Sequence, residues 1–283
     1  MSARDWLGAR LSNRPGEVRR RLAVATWRRS KDGRIYARMA FDAAPLLEYV
    51  EQTRARTGER VSVTHVVGAA LARAIRDVPE VRARMVLGRI VEFDACDIGF
   101  AVDIDDGNDL APACVRAADR KTPADIAHEL NTTVTGLRSG TDAGHRLMSS
   151  IAGNLPWWTL RPVLGFAGLV VSGFGYPAFG LRGFPLGAAF VSNVGSLGLD
   201  EGFLAPLPFA RVPLYLAIGA IQDAPLVVDG AVVVRPQIVL VATADHRLVD
   251  GAHAGRIVQV LRELLADPTV MDEALQPKTG ELS

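Results

Sequence analysis

A chain of 283 residues, 49% apolar and 22% charged, has hydrophobic material for one large domain or two modest ones. A net charge of +1 with no basic tail excludes a nucleic-acid footprint. Two cysteines, Cys96 and Cys114, exclude a disulfide scaffold; both are expected as buried thiols, and with an N-terminus (Met1 to Trp6) lacking an apolar signal core they point to a reducing cytoplasm.

In chain order, an Arg-rich stretch to about Ser30, with Arg19, Arg20 and Arg21 in a row, reads as a solvated or subunit-facing entry segment. Ile35 to Phe41 reads as a strand, after which Asp42 can cap a helix carrying Leu46, Leu47 and Val50. A helix from about Thr64 to Asp77 buries Val66, Val67, Ala70, Leu71, Ala74 and Ile75 along one stripe and is stopped by Pro79. Arg89 to Phe93 and Asp97 to Asp103 read as strands, and Asp105 to Asp109 as a turn. Asp103, Asp105 and Asp109 imitate a calcium loop, but its twelfth position falls on Cys114 instead of a bidentate Glu, which argues against that use. Leu110 to Arg116 is a further strand, and Thr122 with Pro123 opens a helix to about Leu137.

Residues 139–186 form an apolar segment, with an uncharged run from Pro162 to Leu181 between Arg161 and Arg182. Its length approaches that of a membrane span. Five glycines and two prolines in the run, and its place inside one fold, favour a cap or a subunit-packing insertion over lipid contact through 155–182. Beyond it, Tyr215 to Ile221 reads as a strand, and Asp229-Gly230 joins Leu226–Val228 to Ala231–Val234 as a hairpin. The last long strand, Ile238 to Ala244, delivers the chain to Asp245-His246-Arg247-Leu248-Val249-Asp250-Gly251. A helix follows, with apolar residues at 257, 260, 261, 264 and 265 on one face. Strands interleaved with helices, two strands joined by a hairpin, predict an α/β mixed-sheet sandwich. No G-x-G-x-x-G leads from a strand into a helix and no phosphate loop is present, which excludes a simple Rossmann array.

His246 is the candidate base: histidine is the side chain whose unperturbed pKa lies near working pH, and an imidazole fixed between two carboxylates on a short loop between packed elements suits a proton acceptor. Asp250 is expected to orient that loop by an ion pair or hydrogen bonds, with an Arg of the 19 to 21 run as a candidate partner. His253, on the first turn of the following helix, ranks second and reads as structural. A metal held by His246, Asp250 and His253 is disfavoured, because a strand-to-helix turn splays them and the spacing is not that of a zinc site.

The run DHRLVDG followed by an amphipathic helix resembles the signature of the dihydrolipoamide acyltransferase catalytic domains of 2-oxo acid dehydrogenase complexes. Chloramphenicol acetyltransferase shares a related His-x-x-x-Asp-Gly. The segment Gly187 to Gly198 is similar to the family's G-x-F-x-x-S-N-x-G-x-x-G, and Val78-Pro79-Glu80-Val81 with the elements after it follows the family's succession. The resemblance covers about residues 15–136 and 187–270. It implies the fold of the coenzyme A-dependent acyltransferases, here with an apolar insertion at 139–186 in a single catalytic domain spanning 1–283.

It further implies acyl transfer between coenzyme A and a thiol acceptor such as dihydrolipoamide. His246 would be general base, Ser192 oxyanion donor and Asp250 a supporting residue. The family forms trimers whose active sites lie between subunits, Ser and His coming from neighbouring chains, so a homotrimer or larger multiple is expected. Coenzyme A is thus a substrate. The only lysines, Lys31, Lys121 and Lys278, lack the D-K-A setting of a lipoylated lysine, so a lipoyl group is expected on another polypeptide. Two other readings remain: a catalytically silent trimeric scaffold, and a membrane-associated protein acting through the apolar insertion.

Overall fold

A computed structural model of the chain describes residues 33–104, 110–138, 157–178, 181–228 and 230–275. Its centre is a mixed sheet of β1 (Arg34–Asp42), β4 (Ile98–Asp103), β5 (Leu110–Val115), β6 (Ala189–Asn193), β7 (Leu214–Ile218), β8 (Gln222–Val228) and β9 (Ala231–Asp245), in the order β1-β9-β7-β6-β4-β5 with β8 on β9. The β4/β6 and β6/β7 pairs are parallel and the remaining pairs antiparallel, as expected of a mixed α/β sandwich. A separate hairpin pairs β2 (Ala83–Val86) with β3 (Arg89–Glu92). The expected strand at Arg89 to Phe93 therefore lies outside the main sheet.

The expected hairpin arm at Ala231–Val234 and the last strand at Ile238–Ala244 are one continuous 15-residue element, β9. Pro236 does not break it, because it falls where β9 changes partners. Residues 231–237 pair with β8 and residues 237–245 with β1. A strand tolerates a missing N–H at such a margin.

Four helices pack on or beside the sheet: α1 (Ala44–Thr57), α2 (Val63–Arg76), α3 (Pro123–Arg138) and α5 (Gly251–Ala266), the last two flanking a shorter α4 (Trp157–Ala167) in sequence. Helix α2 is the most buried, and the expected stripe is only part of its contact surface: Gly68, Ala69, Ala72 and Arg73 are buried as well. Small residues let the sheet approach closely; a Cβ on Gly68 would stand 2.4 Å from the Phe100 ring. Arg73 donates to the carbonyls of Val270, Met271 and Glu273, which ties the chain beyond α5 to α2. Helix α5 buries Ile257, Leu261 and Leu265 against the same core, the face that the spacing predicted.

Two local expectations shift. Helix α1 has Ala43 as its N-cap, and Asp42 reaches past it to accept from the Ala44 N–H at 2.9 Å. Cys96 is buried but precedes β4, whereas Cys114 lies in β5 with intermediate exposure. Burial pushes the Cys114 thiol up to about 12, so it carries little thiolate at neutral pH. The Asp105 to Asp109 turn and Arg19 to Arg21 lie outside the described residues.

The described part of the apolar segment includes the 11-residue helix α4, with Pro162 inside it, and a wide-turned stretch Gly168–Gly173. Leu160, Leu164, Ala167 and Val171 are buried, whereas Phe166 and Tyr176 are exposed. No helix among the described residues is long and apolar enough to cross a membrane. Arg84 of β2 is buried beneath this segment. It donates to the carbonyls of Ser172, Gly187 and Ala210, and its guanidinium lies 4.4 Å from the centre of the Phe184 ring. Burial pushes the Arg84 guanidinium down to about 10, still charged at neutral pH, and the three carbonyls supply the partners that a buried cation requires.

Candidate active site

The His246 loop is built by its neighbours. Asp245 accepts from the Arg247 backbone N–H at 3.1 Å and pairs with the Arg247 guanidinium. Burial by itself would raise the Asp245 carboxyl; the Arg247 hydrogen bonds and charge outweigh it and hold the group below the usual carboxylate range. The Asp245 carbonyl accepts from the Leu248 and Val249 N–H groups at 3.0 and 2.9 Å, closing a turn. Leu248 and Val249 are driven into the core, and His246 and Arg247 are left outside. The His246 N–H donates to Gly33 O at 3.0 Å, so the head of β1 holds the other side of the loop.

A backbone carbonyl holds the imidazole. His246 Nδ1 lies 3.0 Å from Val249 O. A carbonyl only accepts, so in the neutral ring the proton sits on Nδ1 and the Nε2 lone pair is left to take a proton. In that tautomer Nε2 is an acceptor.

Asp250 is the N-cap of α5 and accepts from the Ala252 and His253 N–H groups at 2.9 and 3.0 Å. The His253 N–H holds the Asp250 carboxyl below its ordinary range. His253 returns the contact, its Nδ1 lying 3.1 Å from the Asp250 N–H, while its Nε2 lies 3.2 Å from Glu80. This is a capping box with His in place of the usual Glu or Gln. In it Asp250 and His253 satisfy each other's backbone N–H groups at the head of α5. Among the described residues the partners of the Asp250 carboxylate are the N–H groups at the head of α5, the candidate Arg19 to Arg21 lying outside them, and Glu80 is a member that the reading from sequence missed.

Ser192 lies near the C-terminal end of β6, in a cleft of about 520 Å³ that Thr64, His65, Phe100, Asn131 and Asn193 also line. Asn193 locks the turn after it. Its Nδ2 donates to Thr64 Oγ1 at 2.9 Å, and its Oδ1 accepts from the Ser196 N–H at 3.1 Å. The glycines of this segment have steric reasons. A Cβ on Gly195 would meet the backbone of Gly219 and Ala220 at 2.5 Å, and Gly187 has φ +66° with Asp97 O at 2.3 Å from a built Cβ.

Ser192 and His246 are not brought together within one chain. The register sets Ser192 beside Ala217 and Ala217 beside Val241. His246 comes five positions after Val241 in the sequence, which at the rise of a strand is roughly 17 Å further along β9. The two side chains sit at opposite ends of the sheet.

Comparison with known proteins places the chain in a family. Residues 16–147 and 185–272 match the family described as 2-oxoacid dehydrogenases acyltransferase (catalytic domain), and the chain belongs to that family. The matched stretches include Ser192, His246 and Asp250; residues 148–184, most of the apolar segment, fall between them. Among individual proteins, the chain is 25% identical over 234 residues to the dihydrolipoyllysine-residue succinyltransferase component of the Saccharomyces cerevisiae mitochondrial 2-oxoglutarate dehydrogenase complex, a match covering 81% of this chain and 42% of the relative. It is 24% identical over 223 residues to the dihydrolipoyllysine-residue acetyltransferase component of the Staphylococcus epidermidis pyruvate dehydrogenase complex, covering 78% of this chain and 42% of the relative. The chain thus spans about two fifths of the length of these curated relatives. Its fold is similar to that of a probable dihydrolipoamide acetyltransferase from Listeria monocytogenes 4b F2365, with a TM-score of 0.66 at 18% identity, covering 92% of this chain and 94% of that one.

Proposed function

We propose that the protein transfers an acyl group between coenzyme A and a thiol acceptor of the dihydrolipoamide type. The observation that carries this reading is the His246 ring, held by its Nδ1 against Val249 O so that Nε2 is the free, basic edge. A thiol of ordinary pKa near ~8.5 is mostly protonated at neutral pH, and the thiolate is the nucleophile. His246 Nε2 takes the acceptor thiol's proton as its sulfur forms a bond to the thioester carbonyl carbon. The carbonyl oxygen becomes an oxyanion, which the Ser192 hydroxyl stabilises by donating a hydrogen bond. When the intermediate collapses, the carbon–sulfur bond to coenzyme A breaks and the proton held by His246 passes to the departing sulfur. Asp250 acts by capping α5 and so holding the loop.

Because Ser192 and His246 of one chain stand far apart, the reading requires that they meet across a subunit boundary, in a trimer or a multiple of one. The dihydrolipoyl group would be presented by another polypeptide, in a reducing cytoplasm suited to free thiols. The whole chain acts as one catalytic unit, and the apolar stretch packs on its surface as an insertion.

The test is an assay of purified protein with acetyl-coenzyme A and dihydrolipoamide, beside His246→Ala. The variant should keep its oligomeric state and lose about 100- to 10,000-fold in kcat, the usual contribution of a positioned base. Wild type and variant equally inert, on the same oligomer, would favour the scaffold reading.

A further inference from the structure

The cleft beside Ser192 holds a histidine to which the proposed chemistry assigns no role. Helix α2 opens with a capping box in which Ser62 is the N-cap and His65 the third helical residue. The Ser62 N–H donates to His65 Nδ1 at 3.0 Å, and Ser62 Oγ lies 3.3 Å from the same nitrogen. A backbone N–H only donates, so His65 Nδ1 is an acceptor and the ring proton sits on Nε2. Burial, reinforced by the Arg54 charge, pushes this imidazole down to about 4, so it stays neutral across the working range. His65 is therefore a fixed, uncharged N–H donor.

The surroundings say what such a donor can meet. Phe100, Leu130, Val134 and Leu197 give the cleft apolar walls, while Asn131 and His65 add amide and imidazole donors near Ser192. Its volume of about 520 Å³ suits a flexible organic arm of ordinary ligand size. Methylene chain against the walls and an amide carbonyl at the donors would satisfy both. Each thiol in the proposed reaction ends such an arm: dihydrolipoamide carries a carboxamide, and the coenzyme A thiol ends a chain with two amides.

We propose that His65 is a specificity-determining residue of the Ser192 cleft, whose Nε2–H donates to an amide carbonyl on a thiol-terminated arm. This rests on the acyltransfer reading for the identity of the arm. His65 does not exchange a proton with substrate. It reads the arm and holds the sulfur at its end in register with the Ser192 hydroxyl.

The capping box supplies a pair of variants that separates the donor from the cap. His65→Glu keeps a side-chain acceptor for the Ser62 N–H, as in the common S-x-x-E box, but puts an anion where the donor stood. His65→Gln keeps an acceptor and a donor together. With Tm unchanged, His65→Glu should raise KM for one of the two thiols roughly 10-fold and leave kcat within about 2-fold, while His65→Gln should return KM to within about 3-fold of wild type. The forward reaction with dihydrolipoamide and the reverse reaction with coenzyme A show which arm is read.

Unchanged KM for both thiols in His65→Glu at wild-type Tm would overturn the assignment, as would His65→Gln as impaired as His65→Glu. A fall in Tm that accounts for the kinetic loss would do so too. Calorimetric titration of dihydrolipoamide and of coenzyme A into the three proteins reads the donor without turnover. An inert wild type whose binding still depends on residue 65 would sink the acyltransfer reading and keep this one; binding that ignores residue 65 would sink this one alone.

Discussion

His246 and His65 stand at opposite ends of one sheet and are locked in opposite tautomers. His246 Nδ1 faces the Val249 carbonyl, which forces the proton onto Nδ1 and leaves Nε2 as a base. His65 Nδ1 faces the Ser62 N–H, which forces the proton onto Nε2 and makes that edge a donor. One backbone group, a C=O in one case and an N–H in the other, decides which chemistry the ring can offer. The depth of burial adds the second difference: His246 is exposed, whereas His65 is partly buried and stripped of its affinity for a proton. His253 repeats the His65 arrangement at the head of α5, but its Nε2 meets Glu80 rather than a cleft, so the same capping device there orients a helix.

The largest test of the two-ended arrangement is complementation. Ser192→Ala and His246→Ala should each be nearly inert, the serine variant losing on the order of 100-fold in kcat. If the active site is shared between neighbouring chains, co-assembly of the two variants in equal amounts should restore about a quarter of wild-type activity, since each site then draws its Ser and its His from different parents at random. A mixture as inert as its components, shown to contain mixed oligomers, would require both groups to come from one chain and would break the comparison.

A smaller effect tests the serine end alone. The Ser192 turn is fixed by Asn193 on Thr64 and by the contact of Gly195 with the backbone of Gly219 and Ala220. Gly195→Ala puts a Cβ at 2.5 Å from main-chain atoms that no rotamer change can move. Urea unfolding should show a loss of about 2 kcal/mol or more. Gly251 heads α5 at the histidine end, and a Cβ there meets nothing within 4 Å of this chain. Gly251→Ala should leave stability unchanged or slightly raised, and a loss of assembly instead would locate a neighbouring subunit at that spot.

How far the sequence could be read follows from the same contrast. The His246 loop was legible because its determinants are consecutive: an ion pair at Asp245 and Arg247, two apolar anchors, a cap and a helix with one apolar face all fall between Asp245 and Leu265. The serine end was legible only by resemblance. Its ties, Asn193 to Thr64 and the walls from α2, α3 and β4, join segments far apart in the chain, and no local period announces them. His65 went unread because a helix-stripe reading counts Val66 and Val67 and treats the residue before them as outside. The β2–β3 hairpin escaped because its turn places a leucine, Leu87, at φ +50°, where turn chemistry would have offered Gly or Asn. The continuity of β9 escaped because Pro236 reads as a boundary until its partners are known.

The smallest expected effect concerns the proton that His65 refuses. In the unfolded chain an imidazole titrates near ~6.5, while in the folded protein His65 does so at about 4. Between those values the unfolded state binds more protons, so this group's contribution to stability is fully present above ~6.5 and is lost as pH falls toward 4. Partial exposure screens the effect, leaving a loss on the order of 1 kcal/mol. Asp245, Asp250 and Asp272 have depressed carboxyl pKa values, so their contributions fall away only at lower pH, below the range of an unfolded carboxylate. Urea titrations between pH 7 and 5 therefore isolate the imidazoles, and His65→Gln, which keeps the cap and cannot be protonated, should flatten the decline there. A wild-type decline that survives the substitution undiminished would assign it to another histidine, and His65 would then have to bind its proton at an ordinary pH. It could not serve as a fixed neutral donor in that case, and the contrast between the two ends would rest on the tautomer alone.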